Sequence, residues 1–248
     1  GAGAGGDAGA APRRPVDCVL LAHDRAGMHS GRHRQLADAF ATQGWLAVVP
    51  DFSTTAADRD VWFDSIRMYC VDYFFPWLEE QGVEAIQCVG LADGAIPCAY
   101  VAAGVEAHLQ GGSRVPRVVG TALAHPAFRK PYVLNEGELQ KMVAMMAAPV
   151  LVVPAGDDAK EVRPGGVLEL QGKLNGQPLE FLEFAQASHG FVVHGDVESD
   201  EVRNAVVWAV DATCEFLHRN FISELAASWR VKEEPGAGDA ADSEPPSP

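Results

Sequence analysis

The stretch Ala85-Ile86-Gln87-Cys88-Val89-Gly90-Leu91-Ala92-Asp93-Gly94 decides the reading of this chain. Residues 85–89 have the apolar character of a buried strand, and residues 94–107 that of a helix. Between them two glycines bracket three residues, which is the pattern of a sharp strand-to-helix elbow. Such a turn leaves no room for side chains at its flanks, and its central residue projects above the sheet, where a catalytic Ser or Cys belongs. Here the centre is Ala92, a methyl group. Taken alone, the five residues also fit a plain structural turn, so the surroundings must decide.

Outward from the elbow, apolar runs of strand length alternate with longer amphipathic segments. That succession predicts βαβ units and a mainly parallel sheet with helices on both faces. Strands are expected at 17–22, 46–50, 85–89, 118–122, 149–154 and 179–184. Helices are expected at 33–43, 61–81, 94–107, 138–147, 164–175 and 201–227. Gly44 and Gly82 stand just past two of these helices, where a left-handed residue closes the last turn.

A chain of 248 residues, 48% hydrophobic, buries one sizeable core, so one domain is expected over 16–230. Residues 1–15 and 231–248 are Gly/Ala/Pro-rich and acidic segments with little to bury, and disorder is the expectation there, or ordering against a partner. The net charge is −15, of which the last 18 residues contribute −4. No basic stripe for phosphates and no membrane-length apolar run is visible, so neither nucleic acid nor a membrane is an expected partner. The five cysteines are an odd number without metal-type spacing, which predicts buried free thiols and a reducing, cytoplasmic setting. No metal or cofactor is expected.

Three further segments carry chemistry. Leu20-Leu21-Ala22-His23-Asp24-Arg25-Ala26-Gly27 is an apolar strand running into a loop. Pro149-Val150-Leu151-Val152-Val153-Pro154-Ala155-Gly156-Asp157-Asp158 is a buried strand ending in a Gly-Asp turn. Ala187-Ser188-His189-Gly190-Phe191 follows the last expected strand. In order along the chain, Asp158 comes 66 residues after Ala92 and His189 a further 31. Together with the elbow, these segments resemble the dienelactone hydrolase family of the α/β-hydrolase fold over roughly residues 16–220.

The resemblance implies a set of roles. Asp158, rather than the neighbouring Asp157, would be the triad acid, and His189 the general base. The amides of Arg25 and Asp93 would form the oxyanion hole, with the Asp93 side chain pointing off the tip of the turn. Asp24 would be an acidic neighbour of the nucleophile, His194 a pocket residue, and His125 structural or pocket-lining. Departures accompany the resemblance: Ala95 replaces a frequent glycine, and Val193 and His194 stand where an arginine commonly meets a substrate carboxylate.

Ala92 has no lone pair and no proton to lose, so no acyl intermediate forms on it. Cys88, four residues back along a strand, and Cys98, six residues into the following helix, are too distant to substitute. The expected function is a catalytically inactive member of this type, a pseudoenzyme that binds protein partners in a larger assembly. Two alternatives stay open. One is a carboxylic-ester hydrolase whose Cys or Ser at position 92 was mutated to Ala. The other is a domain that binds a small ester or lactone in the same pocket, including one in which the His189/Asp158 pair activates water directly.

Overall fold

The computed structural model describes residues 17–52, 65–66, 68–103, 116–128, 141 and 145–233, with side chains described to residue 223. Among these residues six strands form one parallel sheet: β1 (Cys18–Ala22), β2 (Leu46–Val48), β3 (Ala85–Leu91), β4 (Arg117–Ala124), β5 (Val150–Val153) and β6 (Leu179–Phe181). Their order is β2-β1-β3-β4-β5-β6. The helices are α1 (His33–Thr42), α2 (Phe75–Glu80), α3 (Ala95–Ala102), α4 (Val167–Leu174), α5 (Phe191–His194) and α6 (Asp200–Glu233). A π-helical turn, Cys70–Phe74, leads directly into α2.

Two-residue periodicity sorts each strand between two cores. In β1, Cys18, Leu20 and Ala22 face one core, with α2 and α3, while Val19 and Leu21 face the other, with α1, α5 and α6. Strand β5 divides the same way, Val150 and Val152 against Leu151 and Val153. Covered on both faces, these strands read as continuous apolar runs, as parallel strands do. Helix α6 seats Val206, Ala209, Phe216 and Leu217, spaced at three, seven and one residues, against the second core.

Strands β2 and β3 lie on opposite sides of β1. The connections after β1 and β3 therefore diverge, opening a crevice at the carboxyl ends of the strands. The register Ala22↔Gly90 sets the elbow directly beside the loop that follows β1. This one feature of topology positions the site.

Boundaries differ from the sequence expectation in ways with physical causes. Strand β2 stops at Val48 rather than residue 50, because Pro50 has no N–H to pair. Strands β3 and β4 run two residues further, to Leu91 and Ala124, pairing with each other up to the elbow. Helix α3 begins only at Ala95, after a 3₁₀ turn over Ala92–Gly94. Helix α6 continues to Glu233, three residues into the expected tail, through a run of Ala, Glu, Leu, Arg and Lys that favours helix. Met146 and Ala147 fall outside helix, and most of 138–147 lies outside the described residues. Gly44 and Gly82 adopt φ of 92° and 76°, closing α1 and α2.

Candidate active site

The elbow is a tight strand-to-helix turn through a left-handed residue. Ala92 adopts φ 49°, a left-handed conformation that costs a residue with a Cβ about 1–2 kcal/mol. Steric necessity enforces it. A Cβ on Gly94 would lie 2.1 Å from the Ala22 carbonyl oxygen, and one on Gly90 2.6 Å from Cα of Ala95. The two glycines are what let β1, β3 and α3 converge this closely. Ala92 itself is buried, and its carbonyl accepts a hydrogen bond from Ala127 N–H at 3.0 Å.

Facing the elbow across β4 stands an assembled histidine–aspartate pair. His189 Nδ1 donates to Asp158 Oδ1 at 2.5 Å, which leaves Nε2 as the atom able to meet a proton. The side chain of Asp158 is 1% exposed against 44% for His189. Its second oxygen accepts the Ala155 N–H at 2.7 Å, so the buried carboxylate is satisfied on both sides. Asp157 is engaged as well, its Oδ1 accepting the His189 backbone N–H at 2.5 Å. The hydrogen bond from Asp158 raises the His189 pKa, burial opposes it, and the charges of Asp158, Asp157 and Asp93 add to the rise.

A second pair lies beside the first. His194 Nε2 meets Asp24 Oδ2 at 2.5 Å, and Asp24 Oδ1 accepts the Ala26 N–H at 3.0 Å. The fully buried His33 stands behind it, accepting the Asp24 N–H at Nε2 and donating from Nδ1 to the Ser30 carbonyl. His194 therefore holds a carboxylate of the β1 loop.

One feature departs from the sequence expectation. The Asp93 carboxylate does not point off the tip: it is 15% exposed and accepts from the Arg25 guanidinium at 3.1 Å, so this pair bridges the β1 loop and the elbow. His125 takes the structural of the two places expected for it. It is fully buried at the end of β4 with φ 38°, its ring edge-on to His189 at 5.3 Å and to Phe191 at 5.8 Å. Neither of its ring nitrogens has a hydrogen-bond partner, and burial pushes its pKa down to about 3.

Sequence reasoning missed the residue that carries the histidine loop. Arg32 donates from its side chain to the carbonyls of Phe191, Val192 and Gly195 at 2.7, 3.2 and 2.7 Å, and its backbone N–H reaches the Val193 carbonyl at 3.2 Å. A single arginine at a helix start gives no sequence signal of such a clamp. A cavity of about 540 Å³ adjoins the site, lined by His189, His194, Phe184, Phe191 and, from α6, Val202 and Trp208. It opens on the outer side of the histidines; Ala92, Asp24 and His125 do not line it.

The five cysteines are buried and free. A thiol hydrogen bond between Cys88 and Cys98, together with burial, holds the Cys88 thiol well above its ordinary pKa and keeps it protonated. Neither is a substitute nucleophile. Among the described residues no group of His, Cys, Asp and Glu is arranged to hold a metal ion. No helix among them is long and apolar enough to cross a membrane.

No protein-family model matches the chain, and no curated protein matches it in sequence. Solved structures do match in three dimensions. An esterase of Pyrococcus furiosus superposes with a TM-score of 0.52 at 13% identity, over 82% of this chain and 81% of that one. The acylaminoacyl peptidase of Pyrococcus horikoshii gives a TM-score of 0.59 at 12% identity, over 84% of this chain and 37% of that one. A protein from Bacillus cereus gives 0.52 at 12% identity, over 82% of this chain and 62% of that one. At such identities the likeness is one of fold, and the fold of this chain is that of the α/β-hydrolases.

Proposed function

We propose that this chain is a catalytically silent hydrolase of the dienelactone hydrolase type, working as an intracellular binding or structural component of a protein assembly. One observation supports this reading above all. The elbow keeps its left-handed turn at φ 49° and its two obligatory glycines, yet a methyl group stands at its tip. The rest of the proposed machinery has its expected neighbours: His189 oriented by Asp158, and the β1 loop beside Asp93. Without an attacking atom at position 92 the pair can polarise a water or a ligand but cannot pass through an acyl-enzyme.

The loss extends beyond one atom. His194 binds Asp24 instead of presenting a permanent cation to a substrate carboxylate. Asp93 places a carboxylate next to the amide proposed for the oxyanion hole, where it would oppose developing negative charge. Recognition and stabilisation are both weakened along with attack.

The preserved His189–Asp158 pair favours one other reading, an active ester hydrolase in which Ala replaced the nucleophile. Turnover of a short aryl ester by the Ala92→Cys variant separates the two. The silent-hydrolase reading predicts a thiol that alkylates readily beside His189 but turnover within about tenfold of the unchanged chain. Restoration by a factor of about 10³ or more, the scale on which a triad member counts, would overturn it in favour of the hydrolase.

A further inference from the structure

A second concavity, distinct from the one beside the histidines, lies along edge strand β2. It has a volume of about 550 Å³ and is walled by Val48, Val49 and Pro50 on one side and by Tyr69, Tyr73 and Trp77 on the other. Two of its rings are presented to solvent, Tyr73 at 69% exposed and Trp77 at 38%, while Tyr73 leans on Tyr69 and Trp77 stacks on Phe74. The π-helical turn Cys70–Phe74 widens the helix where Tyr73 emerges. Two carboxylates, Asp72 and Glu80, also line the groove, and among the described residues no Lys, Arg or His does.

Aromatic side chains on an exposed face, with acids beside them, fit a polyproline II segment carrying arginines: proline rings pack against aromatic rings, and guanidinium groups meet the carboxylates. This chain carries a sequence of that composition, Pro12-Arg13-Arg14-Pro15. It is also close at hand. Five residues separate Pro12 from Asp17, a reach of at most about 17 Å. The Asp17 carbonyl accepts the Leu46 N–H at 2.7 Å, so the segment enters the fold at the start of β2, two residues before groove-lining Val48. We infer that the groove walled by Tyr69, Tyr73 and Trp77 binds Pro12-Arg13-Arg14-Pro15 of the same chain. The short tether gives the segment an effective concentration in the millimolar range, so even a weak contact is made. Nothing in this inference depends on the hydrolase-like pocket.

The test uses the full-length chain and the double variant Arg13→Glu/Arg14→Glu, both ¹⁵N-labelled, with the Trp77 indole N–H assigned by Trp77→Phe. The double variant is expected to move that indole resonance by more than its linewidth, independently of protein concentration. A synthetic peptide of residues 10–17 should then bind the double variant at least about tenfold more tightly than the unchanged chain, whose groove is filled in cis. Adding Asp72→Lys/Glu80→Lys to the double variant should return the resonance toward its original position. An unmoved indole signal, or equal peptide affinity for the two chains, would overturn the inference. A shift that grows with concentration alongside molecular mass would also overturn it, by assigning the groove to a second copy.

Discussion

The elbow and the histidine loop meet at one crevice, yet different forces hold them. The elbow is shaped by contact: β1, β3 and α3 converge so closely that Gly94 has the Ala22 carbonyl where a Cβ would go. The histidine loop is shaped by polar bonds, from Arg32 to three carbonyls and from His189 to Asp158 and Asp157. Both arrangements serve the fold whether or not a reaction occurs. A buried Asp158 that lost its histidine would be a poorly compensated charge, and an elbow with larger flanks would not close. An intact histidine–aspartate pair is therefore no measure of activity, and the side chain at position 92 is the one point of the turn that neither set of contacts dictates.

Substitutions can break each region in its own way. Gly94→Ala forces a backbone contact apart and should destabilise the chain by about 3 kcal/mol or more, read as the shift of a urea unfolding midpoint. If Gly94→Ala unfolds like the unchanged chain, the elbow is not held by sterics. Asp158→Ala should cost about 2–3 kcal/mol, because it strands the Ala155 N–H and removes the partner of His189. The same variant should lower the His189 pKa, visible in the pH titration of its ring proton chemical shift.

Acid tests the two histidines that touch at the site, and their signs oppose. The folded His125 pKa, about 3, lies below the unfolded value, so stability present above about pH 6.5 is lost as pH falls toward 3. Between pH 7 and pH 5 this loss should be about 2 kcal/mol. His189, with a raised folded pKa, contributes stability that is full below about pH 6.5 and is lost as pH rises through its folded value. His125→Asn, which tolerates the left-handed backbone, should flatten the acid limb in thermal melts at pH 5 and leave pH 7 nearly unchanged. The smallest effect is expected of Ala92→Gly, which relieves the strained turn and should stabilise the chain by roughly 0.5–1 kcal/mol.

Much of the fold was legible because parallel strands buried on both faces write themselves as unbroken apolar runs, as in Cys18–Ala22 and Val150–Val153. The Gly90-x-Ala92-x-Gly94 spacing located the turn because only glycine fits its flanks. What stayed hidden depends on partners distant in sequence. The Asp93 carboxylate turns inward because Arg25, 68 residues away, receives it. His125 is buried without a partner because β4 runs two residues further than its apolar run suggests, carrying the ring under His189. Arg32 finds its carbonyls about 160 residues downstream, and no local pattern marks a residue that bonds to backbone.

The central claim is that the geometry of a catalytic turn survives here without its chemistry. Hydrolysis of a short aryl ester by the unchanged chain, compared with His189→Ala at equal concentration, tests it most directly. The account predicts equal rates, neither above the uncatalysed background. A rate for the unchanged chain that exceeds the His189→Ala rate would contradict it, because the histidine would then be activating water at a site that has no nucleophile of its own.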